Sequence, residues 1–98
     1  MIAVAALLIV AACSKSGETR SAKALFAEKC AYCHPDGGNI MRGTKGLKRA
    51  DLERNNIKTV AEIVAYIRKP GPDMLPFDAK AISDSEAAAL AEYILKTF

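Results

Sequence analysis

The segment Cys30-Ala31-Tyr32-Cys33-His34 constrains this chain more than any other. It gathers two of the three cysteines and the only histidine into one C-x-x-C-H run. On a helix, positions i, i+3 and i+4 share a face. Both thiols and the imidazole can therefore be aimed at one object, and the fold must leave room for it. Pro35, Gly37 and Gly38 follow at once and stop a helix there.

The chain of 98 residues allows one domain at most. Its hydrophobic residues are unevenly spread. Residues 1–12, MIAVAALLIVAA, are wholly apolar and carry no charge. That run is too short to span a bilayer, which takes about 20 apolar residues. An apolar run closed by small residues reads as a secretory signal. The competing reading, an apolar core helix, would need cover on every side. Val10-Ala11-Ala12-Cys13 also resembles the lipobox of bacterial lipoproteins. In that family the leader is cut before the cysteine, which is then acylated, and Ser14 in the next position resembles the outer-membrane sorting preference. We therefore divide the chain into a leader (1–12), a tether (13–21) and a folded domain (22–98). So small a domain struggles to build its own core and wants a disulfide, metal or cofactor.

The folded part reads as all-α, with no run of period-two strand alternation. Ser21 is a plausible N-cap for a first helix from Ala22 to Cys33. Leu47 to Asn55 suggests a short second helix. Thr59-Val60-Ala61-Glu62 is a capping box that opens a third. Its apolar positions are Val60, Ile63, Val64 and Ile67, and Pro70 ends it. The stretch KPGPDMLPF that follows must be an extended loop, because its prolines forbid a helix. Ser83-Asp84-Ser85-Glu86 is a second capping box, and the last helix carries a stripe of Ala87, Leu90, Ala91, Ile94 and Leu95.

C-x-x-C-H is the attachment pattern of c-type haem. Cys30 and Cys33 would each form a thioether, and His34 would bind the iron through Nε2. Its Nδ1–H then needs an acceptor, for which the Pro35 carbonyl is the candidate. Three other readings compete. A structural zinc site wants four ligands, and only Cys13 could complete it. A thioredoxin-like dithiol would sit near a βαβ unit, and a Cys30–Cys33 disulfide would leave His34 unexplained. With no second histidine, methionine is the next choice for the sixth iron ligand. Met41 follows His34 too closely to reach the far face of a haem, whereas Met74 lies in the proline-rich loop. Those prolines reduce the freedom lost when the loop is ordered. Met74 is therefore the expected distal ligand. A buried gap-filling role for it, with five-coordinate iron, is the alternative.

CAYCHPDGGN, a helix, GPDMLPF and a final helix with Tyr93 together resemble the class I cytochromes c. The likeness is to small monohaem carriers of algal and cyanobacterial photosynthesis and to outer-membrane lipoprotein cytochromes of metal-reducing bacteria. It covers roughly Leu25 to Phe98, nearly the whole domain. It implies helices packed around one covalently bound haem, with the first and last crossing near Phe26 and Tyr93. It also implies a haem edge open to solvent. The usual ligand motif is Met-Pro-x-Phe, whereas this chain has Met74-Leu75-Pro76-Phe77.

A site closed on both axial sides points to a one-electron carrier in the bacterial envelope, with no enzymatic role and no small-molecule substrate. A haem-based sensor or cytochrome-assembly factor with an exchangeable distal ligand is the alternative. The net charge is +3. Arg42, Lys45, Lys48, Arg49, Arg54 and Lys58 face only Asp51 and Glu53 in the same stretch. Such a patch could steer an acidic redox partner, and Lys45 or Lys48 could neutralise haem propionates. A solvated helix face explains the same charges equally well. No motif or aromatic platform supports nucleic-acid binding. The membrane partner would be reached through a lipid on Cys13.

Overall fold

The computed structural model describes residues 20–98, so the leader, Cys13 and most of the tether lie outside the described residues. Four α-helices follow in order: α1 (Ala22–Lys29), α2 (Arg49–Arg54), α3 (Val60–Arg68) and α4 (Asp84–Thr97). A single 3₁₀ turn (Pro35–Gly37) lies between α1 and α2, and there is no strand among the described residues. None of these helices is long and apolar enough to cross a membrane.

Each helix starts where local chemistry dictates. The Ser21 hydroxyl accepts from the Ala24 N–H at 3.2 Å and caps α1. Thr59 accepts from the Glu62 N–H at 3.1 Å and caps α3. The Glu62 carboxylate reaches back to the Lys58 N–H at 3.2 Å and the Thr59 hydroxyl at 3.0 Å. At Ser83 the capping box of α4 is complete in both directions. The short α2 lacks a side-chain cap and buries only Leu52.

One expected boundary is corrected. Helix α1 ends at Lys29, not at Cys33. The Phe26 carbonyl accepts from both Cys30 and Ala31 at 2.9 Å, which widens the closing turn. The chain then rewinds in a separate turn. The Cys30 carbonyl accepts from Cys33 at 3.2 Å and from His34 at 2.9 Å. The relation of i, i+3 and i+4 survives, carried by this turn and not by α1.

Helix α4 is the spine, and both α1 and α3 pack on it. Leu25 from α1, Leu90 from α4 and Ile82 just before α4 are fully buried. Ile63 and Ile67 are the buried side chains of α3. At the crossing of α1 and α4, Phe26 stands 5.7 Å from Tyr93 and 5.2 Å from Phe98, centroid to centroid. The Tyr93 and Phe98 rings meet edge to face at 6.2 Å. These tilted pairs are the preferred aromatic geometry.

Both ends of α4 are tied to segments earlier in the chain. At the N-terminal end, the buried Glu86 carboxylate accepts from Ser83 and from Arg20. Arg20 Nε lies 2.9 Å and its backbone N–H 3.1 Å from Glu86 Oε2. The Arg20 guanidinium beside it, with help from the Ser83 N–H, draws the Glu86 carboxyl from its ordinary 4.5 down to about 2. At the C-terminal end, the Phe98 ring covers Gly37, whose φ of 77° favours glycine. A Cβ at Gly37 would come within 2.5 Å of that ring.

Two outcomes follow for stability. Because the Glu86 pKa is depressed on folding, its contribution is present above the ordinary carboxylate range and is lost as pH falls through the folded value. Glu86→Gln should lower Tm at neutral pH, and its gap to wild type should narrow as pH drops from 4.5 toward 2. A gap constant with pH in thermal melts would remove the carboxylate from the account. Gly37→Ala forces an unfavourable backbone region and a ring contact at once. It should cost about 1–3 kcal/mol, read as a Tm loss of roughly 4–8 °C per kcal/mol.

Candidate functional site

The turn at Cys30–His34, the loop after it, α3, α4 and the loop after α3 enclose a cleft of about 650 Å³. That is within the range of small-molecule and cofactor sites, roughly 300–1,000 Å³. Its floor is apolar, made by Leu52, Ile63, Ile67, Leu90 and Ile94. Several of these side chains also form the core, so the cleft and the core share a wall. Lys29, Arg42, Lys45 and Asp73 bring charge to its lining.

Four of the residues singled out in the sequence meet here: Cys30, Cys33, His34 and Met74 all line the cleft. Cys30 and Cys33 are not joined to each other. Burial pushes the Cys30 thiol up to about 11. Among the described residues, no three His, Cys, Asp or Glu side chains converge as a metal-ion cluster; Cys13, which the zinc reading would need, lies outside them.

His34 is buried, and its Nδ1 lies 2.7 Å from the Gly38 carbonyl oxygen. A carbonyl can only accept, so Nδ1 carries the hydrogen and Nε2 keeps a free lone pair. This corrects the expectation that the Pro35 carbonyl would be the acceptor. The Pro35 oxygen instead accepts from the Gly38 N–H at 2.9 Å. Asp36 at φ 53° and Gly37 at φ 77° turn the chain back on itself, which brings Gly38 to the imidazole. The P-D-G-G run signals a tight turn, but not which carbonyl it presents.

Met74 is partly buried and packs against the core cluster. Met41 also reaches the cleft but is 61% exposed. The loop that carries Met74 is pinned behind it. The Phe77 N–H donates to the Ile67 carbonyl at 2.8 Å, and Arg68 donates to the carbonyls of Phe77 and Ile82 at 3.1 and 2.7 Å. Lys45 lies at the cleft, with its ammonium donating to Asn55 at 2.8 Å. Lys48 precedes α2 and does not line the cleft. An ion pair missed in the sequence joins Arg42 to Asp73.

The donors suit a large planar apolar group with a metal at its centre. Two thiols sit within one turn, an imidazole lone pair is free, a thioether sulfur comes from another loop, and the floor is greasy.

Known proteins agree with this geometry. A family model described as cytochrome c oxidase, cbb3-type, subunit III matches residues 17–94. Cytochrome c6 of Synechocystis sp. is 45% identical over 73 residues, covering 74% of this chain and 60% of that protein. Cytochrome c6 of Cyanidium caldarium is 37% identical over 71 residues, covering 72% of this chain and 63% of that one. The chain thus spans somewhat less than two thirds of the length of these curated relatives. Among solved structures, the outer membrane cytochrome OmcF from Geobacter sulfurreducens superposes with a TM-score of 0.76 at 44% identity, over 79% of this chain and 98% of that one. Fold, site and likeness converge: this chain belongs to the class I monohaem cytochrome c family, and its cofactor is haem c.

Proposed function

We propose that this protein is a one-electron carrier of the bacterial cell envelope, held there by a lipid on Cys13. Cys30 and Cys33 carry the thioethers, His34 is the proximal ligand and Met74 the distal one. The observation that carries the reading is the convergence of these four side chains on one apolar cleft. When bound, the haem supplies a reversible one-electron couple.

The chain does the rest. Its two thiols hold the cofactor against loss. The Gly38 carbonyl fixes the His34 tautomer and ring orientation. Met74, in place of a second histidine, raises the reduction potential. With His34 and Met74 both held for the iron, substrate and oxygen would find no ready access to it. The apolar floor of Leu90 and Ile94 keeps water from the inner part of the cleft. Lys29 and Lys45 at the cleft favour encounter with an acidic partner, and the position of Lys45 at the cleft supports a role in neutralising a propionate. The lipobox-like run ending in Cys13 and the likeness to an outer membrane cytochrome support export and anchoring.

Two experiments test the proposal. In the ferric holoprotein, Met74→Ala should abolish the weak charge-transfer band at the red end of the spectrum. It should also lower the reduction potential and speed carbon monoxide uptake in the ferrous form. An unchanged band and potential would remove Met74 from the iron, and fast uptake by the wild type would instead favour a sensor. For the anchor, the envelope-expressed protein should incorporate labelled palmitate and fractionate with membranes. Cys13→Ser should leave the protein unlabelled and unanchored.

A further inference from the structure

We propose that Arg42 and Asp73 are positioning residues for the distal loop: their ion pair ties the segment behind His34 to the loop bearing Met74. The pair thereby sets how readily the sixth coordination position opens. This inference rests on the reading of Met74 as the distal ligand.

The geometry is specific. Arg42 Nε donates to Asp73 Oδ2 at 2.6 Å, across 31 positions of sequence. Both residues line the cleft. Arg42 is held ready at its base, because the N–H groups of Met41 and Arg42 both donate to Asn39 Oδ1 at 2.9 Å. Asn39 Nδ2 in turn donates to the Lys45 carbonyl at 3.0 Å. Helix α3 and Arg68 secure the two flanks of the distal loop, as described. Its apex is different. Among the described residues, Gly71 to Pro76 makes one hydrogen bond to the rest of the chain, and that bond is Asp73 to Arg42. Pro72 and Pro76 have no N–H to offer. Asp73 takes φ 70°, a region that Asp and Asn tolerate better than other side chains. Its carboxylate is therefore the apex's polar anchor, one residue before the sulfur.

The pair is exposed, 52% at Arg42 and 40% at Asp73, so its influence is limited and screened by salt. Losing it should raise the opening rate of the loop about two- to fivefold. It should not dissociate Met74 outright.

The test uses the ferric holoprotein and measures uptake of imidazole by stopped flow, which is gated by departure of the distal ligand. Asp73→Asn keeps the tolerated backbone and removes the charge; Arg42→Gln removes the other partner. Each should speed uptake about two- to fivefold at low salt. The double variant should be no faster than the faster single, since both remove one interaction. Wild-type uptake should rise with ionic strength toward the variants' rates, while theirs stays flat. Single variants that match wild type, or a double variant whose effect is the sum of two independent ones, would overturn the inference. If a variant fails to fold, the wild-type salt dependence decides alone, and a flat profile overturns it. The red charge-transfer band separates the two levels. A wild type without the band sinks the Met74 assignment. A wild type with it, and variants with unaltered uptake, sinks only the role of the pair.

Discussion

The Cys30 carbonyl accepts two backbone hydrogen bonds, from Cys33 and from His34, and the arrangement of the site descends from them. They wind one turn just past the end of α1, so two sulfurs and an imidazole are delivered to the same cleft without help from a long helix. The next residues complete the work. A left-handed pair, Asp36 and Gly37, brings the Gly38 carbonyl to the Nδ1 edge of the ring. A loop of a few residues thus orders the sulfur donors, the nitrogen donor and the group that orients it.

The rest of the fold serves to hold that turn against α4. Leu90 and Ile94 face the core and the cleft together, so packing and cofactor enclosure use the same atoms. A domain of this size gains little from its own side chains. The apolar floor of the cleft would gain cover from the cofactor's apolar area. The aromatic cluster of Phe26, Tyr93 and Phe98 joins α1 to α4 at the side of the molecule where Gly37 approaches the Phe98 ring closely.

What could be read in the sequence was local. The caps at Ser21, Thr59 and Ser83 depend on neighbours three residues away, and all three stand in the structure. The buried stripe of α4 follows from helical period alone. The end of α1 was misplaced because C-x-x-C-H spacing is equally compatible with a continued helix and with a new turn. The acceptor for His34 was misplaced because a carbonyl's direction depends on φ and ψ at Asp36 and Gly37, which the letters do not specify. Arg20 with Glu86 and Arg42 with Asp73 were invisible for a different reason. Opposite charges far apart in a chain have many possible partners, and only the tertiary fold selects one.

The bonding at Arg20 bears on how the body withstands traction. Arg20 lies just before α1, and its backbone N–H and guanidinium both grip Glu86 in the first turn of α4. Force arriving along the backbone at Arg20 is therefore shared with the first turn of the longest described helix before it reaches α1, and that helix is also a wall of the cleft.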